Sequence, residues 1–239
     1  MDKVINLGIP HVGELIFERI DTPGMFQCAL VSETWKVLAE NVLIKRWKGK
    51  ILEACKNGET KVVQLLMKHF NSEESGLNIK DEEGRTAFMW ACYFGHKDIV
   101  ILLLDLSDSI ELNAKDNNGG CTAFILACYN GQKDVVKLLL DHSERIDLNA
   151  RTNNGGFTGL MLACTTGDKD VVQLLLNHSN SRIEVNATNN DDWTAFRIAC
   201  LYGHKNIVQL LLEYSDIDIS GCDLHQEMIY FFELYQRKH

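Results

Sequence analysis

The chain has 239 residues, of which 46% are hydrophobic and 24% charged, with 24 Lys and Arg against 33 Asp and Glu and a formal net charge of −9. That sign of charge argues against nucleic acid or an anionic membrane as the main partner, and the length suits an elongated array plus a small module. No run approaches the roughly 18 apolar residues of a membrane span, and the opening MDKVINLGIP lacks the apolar stretch of a secretory leader. Residues 1–50 carry 7 basic and 6 acidic side chains, leaving 17 against 27 for the rest, so the acidity belongs to the later part of the chain.

From the N-terminus, residues 9–47 carry three short helical patterns. Pro10 can open the first. Val12, Leu15, Ile16 and Ile20 fall on one face, with Phe17 beside them. Thr22-Pro-Gly breaks that helix and Pro23 starts the next, lined by Met25, Cys28, Ala29 and Val31. Ser32 is an N-cap candidate for a third helical pattern bearing Trp35, Leu38, Val42, Leu43 and Trp47. So small a unit, so rich in large apolar groups, tends to need a partner. The stretch resembles an F-box in Ile9-Pro10, Leu15-Ile16-Phe17, Ile20-Asp21, Met25, Val31-Ser32 and Trp35. It departs from that pattern at Ile9, His11 and Gly24. The resemblance implies docking onto the Skp-type adaptor of a cullin-RING (SCF) ubiquitin ligase. The contact would use Pro10, Leu15, Ile16 and Phe17 from the first helix, and Ile20, Met25, Val31 and Trp35 beyond it. The alternative for residues 1–47 is a helical cap that seals the array behind it and contacts nothing else.

Residues 48–77 form a degenerate first unit. Ile51 to Cys55, Gly58, Val62-Val63 and Leu65-Leu66 keep a two-helix frame that lacks a hairpin. Over residues 78–217 that frame recurs four times, at about 78–112, 113–148, 149–185 and 186–217. Its anchors Thr86, Thr122, Thr158 and Thr194 are 36 residues apart, and a fixed period of that size marks a repeat array. Each Thr sits where an N-cap belongs. In the first full unit the spacing predicts a helix over Ala87 to Phe94, a stop at Gly95 and a second helix from about Lys97 to Leu104. Ile99, Val100, Leu102, Leu103 and Leu104 are too continuous an apolar run for a helix wet on one side, so units must stack and share a core. Before each Thr lies a turn-rich segment: Asp81-Glu-Glu-Gly84, Asn117-Asn-Gly-Gly120, Asn153-Asn-Gly-Gly156 and Asn189-Asn-Asp-Asp192. Asn, Asp and Gly supply the positive φ such hairpins demand, and Asp192 stands in a glycine position, where strain is expected. Residues 218–239 no longer repeat. Leu224, Met228, Ile229, Phe232 and Tyr235 could form one stripe of a capping helix.

The frame T-A-F-x-x-A-C-x-x-G-x-K-x-[IV]-V-x-L-L-L is similar to the ankyrin repeat. Thr-Ala-Phe-Met (Thr86 to Met89), Thr-Ala-Phe-Ile, Thr-Gly-Leu-Met and Thr-Ala-Phe-Arg stand where the family has T-P-L-H, without its Pro and His. The implied fold is an all-α solenoid of helix pairs with short hairpins, preceded by the three-helix F-box-like head. Five of the eight cysteines, Cys55, Cys92, Cys128, Cys164 and Cys200, recur at one position beside Ala. Equivalent helices in a stack lie roughly 8–10 Å apart, beyond the ~7 Å limit for a bridge. These are therefore small buried hydrophobes, reduced in cytosol or nucleus. No phosphate-cradling, dinucleotide or zinc motif occurs, so neither an enzyme nor a cofactor or metal site is expected. His96 and His204 open the second helices, where a side chain bonded to its own turn is expected.

Positions that differ between otherwise equal units face solvent or a partner, the alternative for aromatics such as Phe94 and Trp193 being to pack down between repeats. The residue before each Thr is Arg85, Cys121, Phe157 or Trp193. The pair after each Ala-Cys is Tyr93-Phe94, Tyr129-Asn130, Thr165-Thr166 or Leu201-Tyr202. The ankyrin resemblance implies that these offsets face a concave binding groove, joined by Asn118, with Glu82, Glu83, Asp191 and Asp192 as an acidic rim. Exposed aromatics anchor interfaces, and an acidic rim favours a basic partner segment. The expected function is substrate recognition in an SCF-type ligase, the head docking the adaptor and the groove a protein substrate. The rival is an ankyrin scaffold or inhibitor that never meets a ligase.

Overall fold

The structure, a computed structural model, describes residues 50–69, 76–105, 110–177, 182–214 and 217–219. The head expected over 1–47, with every candidate adaptor contact, lies outside them, as does nearly all of the cap expected over 218–239. We label helices in chain order: α1 (50–57), α2 (Thr60–His69), α3 (Ala87–Phe94), α4 (Lys97–Asp105), α5 (Ala123–Tyr129), α6 (Lys133–Asp141), α7 (Gly159–Thr166), α8 (Lys169–Asn177), α9 (Ala195–Leu201) and α10 (Lys205–Glu213).

The helices form because each boundary is written into the repeat. Thr86, Thr122, Thr158 and Thr194 are extended, and each hydroxyl accepts from the amide three residues on at 3.2–3.3 Å. That satisfies one orphan donor of the first turn. A left-handed glycine follows the first helix of each pair, at the cap itself in Gly95 and Gly167 and one residue beyond it in Gly131 and Gly203. Gly95 and Gly167 are left-handed, with φ of 77° and 80°, and their amides bond Ala91 and Ala163 carbonyls. Asp98, Asp134 and Asp170 lie in the first turn of the second helices, where the helix dipole favours an anion.

The pairs stack in two layers. α3, α5, α7 and α9 lie side by side in one, and α2, α4, α6, α8 and α10 in the other. The core runs continuously through both. Val135, Val136, Leu139 and Leu140 of α6 are fully buried, as are Val171, Val172 and Leu175 of α8. First helices are buried almost all round; α3 hides every residue from Ala87 to Cys92. The second helices keep one wet side, which corrects the sequence expectation: Leu102, Leu138, Leu174 and Leu210 are half-buried, and Ile101 and Leu212 are exposed.

Two sets of close approaches fix the step between units. At one, the residue after each capping glycine lies over the glycine of the preceding unit. A Cβ on Gly58 would meet the His96 ring at 2.7 Å, and one on Gly167 the His204 ring at 2.5 Å. His96 Nε2 donates to the Lys56 carbonyl (3.1 Å), Gln132 Nε2 to Tyr93 (3.1 Å) and His204 Nε2 to Thr165 (3.1 Å). The histidines thus clamp the neighbouring unit and do not bond their own turn, which corrects the sequence expectation. At the second approach, Asn113 and Asn149 in the connectors accept amides of the next connector, Asp147 (2.8 Å) and Glu184 (2.9 Å). Asn78 and Asn186 do the same for Glu111 and Asp218.

Cys55, Cys92, Cys128 and Cys164 are buried and unbridged, and Cys200 is half-buried. Burial pushes the Cys55 thiol from the ordinary 9.0 up to about 12, and drives Cys92, Cys128 and Cys164 well above their usual range. The folded state therefore holds these protons after the unfolded chain has lost its own. The stabilisation is complete below about pH 9 and is lost as pH rises toward about 12. The urea midpoint is expected to be flat from about pH 7 to 8.5 and to fall above about 9, with Cys128→Ala reducing the slope; a slope untouched by that change would contradict a buried neutral thiol. A second expectation concerns Asp192, the only non-glycine with positive φ (59°) among the described residues, where Gly84, Gly120 and Gly156 stand in the other units. Asp192→Gly should raise unfolding free energy by about 0.5–1 kcal/mol in chemical denaturation.

Candidate functional site

Each hairpin loop is closed twice. Asp81, Asp116, Thr152 and Asn189 give a main-chain N–H to the carbonyl of Arg85, Cys121, Phe157 and Trp193. Their side chains accept the return amide at 2.8–2.9 Å. The middle loops hold one residue more than the outer two, Gly119 and Gly155 being the additions. The constant 36-residue Thr spacing conceals this, because Asn78, Asn113, Asn149 and Asn186 are spaced 35, 36 and 37. Only glycine and Asp192 take positive φ here. The hairpin asparagines instead join neighbouring tips, since Asn117, Asn153 and Asn190 donate main-chain bonds to Glu83, Gly119 and Gly155 of the preceding unit. Their side chains fill the space a Cβ would need at Gly84, Gly120 and Gly156.

The first full unit carries a charged and aromatic cluster that joins hairpin to helix. Arg85 Nε lies 3.3 Å from Asp116 Oδ2, whose side chain is buried. The Arg85 guanidinium also covers Trp90 (4.7 Å) and Tyr93 (5.1 Å). Trp90 Nε1 donates to Asp81 Oδ2 (2.6 Å), and the Lys56 ammonium lies over its ring at 4.4 Å. Tyr93 meets the Trp90 ring edge-on, and Phe94 stacks on it. Hairpin and helix positions in this unit are therefore tied into one cluster beneath Phe94. Sequence reasoning missed Trp90, Lys56, Asp81 and Asp116 as members of this cluster, in which Trp90 and Asp116 are buried. A signal for Trp90 exists, since its counterparts are Leu126, Leu162 and Ile198.

The candidate groove residues divide by exposure. Phe94 (42%), Tyr129 (47%) and Tyr202 (54%) stand out among large side chains. Glu82, Glu83, Asn118, Thr166 and Asp191 are exposed as well. Tyr93, Cys121, Phe157 and Trp193 are half-buried and pack against the core, so their rings or thiol are only partly available. Arg85, Asn130, Thr165 and Leu201 are half-buried too. Asn130 Nδ2 and the Thr165 and Thr166 hydroxyls fold back onto carbonyls of their own helices. Tyr93 and Tyr129 show what decides the outcome. Arg85 and Trp90 cover the first; Cys121 and Leu126 stand in their places beside the second, which is left open. In the last unit the Arg197 guanidinium lies over Trp193 at 5.0 Å, and Tyr202 stacks on His204. Burial, with Asp116 second, pushes the Cys121 thiol up to about 11, so it is no nucleophile at neutral pH. No group of three His, Cys, Asp or Glu that could hold a metal occurs among the described residues, and no described helix is long and apolar enough to cross a membrane.

A family model described as ankyrin repeats (3 copies) matches residues 51–152 and 146–221. The chain belongs to the ankyrin-repeat family, whose members are interaction modules that bind protein partners. The match covers no part of residues 1–50. The chain is similar to Inversin of Danio rerio, 40% identical over 58 residues, which are 24% of this chain and 5% of that protein. It is similar to Inversin-A of Xenopus laevis, 38% identical over 58 residues with the same two shares, 24% and 5%. It is also similar to Acyl-CoA-binding domain-containing protein 6 of Bos taurus, 36% identical over 62 residues, 26% of this chain and 21% of that protein. These likenesses thus span about a quarter of this chain and at most 21% of the relatives.

Removing Arg85 leaves a buried carboxylate with one amide partner. Arg85→Ala is expected to cost about 2 kcal/mol in urea unfolding, and Asp116→Asn in the same chain to recover part of it. Equal losses in the single and double variants would contradict a charge coupling.

Proposed function

We propose that this chain captures a protein segment on the first-helix face of its repeats and that residues 1–47 tether it to the Skp-type adaptor of a cullin-RING ubiquitin ligase. The observation that carries the capture is the exposure of Phe94, Tyr129 and Tyr202 in an array whose other apolar side chains are mostly packed away. Aromatics presented by rigid elements supply large contact area at low entropy cost. The excess of acidic side chains after residue 50, with Glu82, Glu83 and Asp191 on the tips, favours a partner segment of basic character. What supports the tether is the F-box-like series Ile9-Pro10, Leu15-Ile16-Phe17, Ile20-Asp21, Val31-Ser32 and Trp35. In this reading the chain is a substrate-recognition subunit that performs no chemistry. It raises the effective concentration of its cargo at the transferring enzyme, which is worth orders of magnitude when geometry permits. Reduced thiols at five equivalent positions favour cytosol or nucleus as its location.

Co-purification with a Skp-type adaptor tests the tether. The full chain is expected to form a one-to-one complex, and Ile16→Glu to abolish it with the thermal melt of the array unchanged. A well-folded full chain that binds no adaptor would make this an ankyrin scaffold or inhibitor acting through its repeat face alone.

A further inference from the structure

Four Asn-Gly pairs occur in the chain: Asn57-Gly58, Asn118-Gly119, Asn130-Gly131 and Asn154-Gly155. Such a pair has a chemistry of its own. The glycine nitrogen has no neighbouring side chain to crowd it, so it can attack the side-chain amide of the asparagine. The fold treats the four differently. Asn57 ends α1 and Asn130 closes α5, each just before a left-handed glycine. Both groups that would react are engaged at Asn130. Its Nδ2 donates to the Leu126 carbonyl (2.8 Å), and the Gly131 N–H donates to the Cys128 carbonyl (3.3 Å). Asn118 and Asn154 instead stand exposed on hairpin tips. The bonds that close those hairpins run through Asp116, Cys121, Thr152 and Phe157. The bonds between tips use the carbonyls of Gly119 and Gly155, and the Thr152 hydroxyl donates to the Asn154 carbonyl. Among the described residues, no hydrogen bond occupies the side chain of Asn118 or Asn154, or the N–H of Gly119 or Gly155. Amide and attacking nitrogen are thus both at liberty, in loops whose frame is otherwise tied.

We propose that Asn118 and Asn154 are sites of intramolecular deamidation, with water as the only other reactant, and that the products complete an acidic row along the hairpin tips. The Gly119 nitrogen bonds to Asn118 Cγ and gives up its proton. The bond from Cγ to Nδ2 breaks, and that nitrogen leaves with the proton as ammonia. Water then opens the cyclic imide and returns a proton to the Gly119 nitrogen. Opening at Cγ gives aspartate. Opening at the main-chain carbonyl routes the chain through the side chain, as isoaspartate. Asn154 and Gly155 react in the same way. Each event adds one negative charge, so two take the formal net charge from −9 to −11. The fold already accepts a carboxylate at this place. Asp81, Asp116, Thr152 and Asn189 close the four hairpins, and the residues two positions on are Glu83, Asn118, Asn154 and Asp191. Glu83 and Asp191 are exposed, as the two asparagines are. Deamidation makes the four tips alike in charge. The reaction belongs to the chain alone and stands whether or not residues 1–47 meet an adaptor.

The test ages the full chain at neutral pH, folded in one arm and in urea in the other. Each Asn-Gly peptide is followed by mass spectrometry, and an isoaspartyl methyltransferase assay counts the branched product. In the folded chain Asn118 and Asn154 are expected to convert about tenfold faster than Asn130, where two hydrogen bonds must open first. In urea that gap should close, because the pairs then differ only in their sequence neighbours. Anion exchange should resolve more acidic species as the folded chain ages. Asn118→Gln with Asn154→Gln should remove the main acidic species at an unchanged melting temperature, since the longer side chain has to close a larger ring. Asn130→Gln should leave them in place. Conversion of Asn130 in the folded chain as fast as Asn118 and Asn154 overturns the inference. So does a folded chain whose two tips stay intact while the urea arm converts fully, or a main acidic species that survives the double substitution.

Discussion

Everything in this structure depends on one constraint: a single helix pair is too thin to cover its own apolar residues. Val135, Val136, Leu139 and Leu140 are fully buried although they belong to a helix of nine residues. They are covered only because α4 and α8 lie on either side. Core formation and stacking are therefore one event, and stability is a sum over units and the joints between them. The joint must be close, which forbids a side chain at Gly58, Gly95, Gly131 and Gly167. It also selects the small Ala-Cys pair at the middle of each first helix. The cysteines serve as compact apolar filler, and their burial suppresses their reactivity.

Much of this is legible in the sequence, for physical reasons. Thr, Gly and the Leu run each impose a local geometry that no other arrangement satisfies as well, so the bounds of α3 follow from the residues alone. What escapes is whatever depends on a neighbour one period away. The hairpin asparagines look like left-handed residues in the sequence, but they bond and fill the preceding tip. His96 and His204 look local, yet their acceptors lie 40 and 39 residues back. Loop length is hidden as well, because an added glycine in the hairpin is offset in the connector.

The candidate face is half legible for a related reason. Comparing equivalent positions finds where packing does not dictate the residue, and Phe94, Tyr129 and Tyr202 emerge that way. It cannot say whether a variable side chain stands up or lies down. That depends on other variable positions, as the pair Tyr93 and Tyr129 shows. Arg85 and Trp90 cover Tyr93 in the first full unit because Asp116 and Asp81 hold them there.

The clamp has a consequence for how this array can change over generations, although Asp168, which lies over Gly131, caps its own helix at Val171 (3.0 Å) and makes no such bond. The acceptor is a main-chain carbonyl and the seat is a glycine, so neither depends on which unit supplies the reaching side chain; His96, Gln132 and His204 all serve. Excising or duplicating one period between equivalent points leaves a clamped joint with the same acceptor and the same seat. Copy number is thereby free to drift without new contacts having to be invented. The distance between features at the two ends then moves in whole steps, as on a ruler marked only in units.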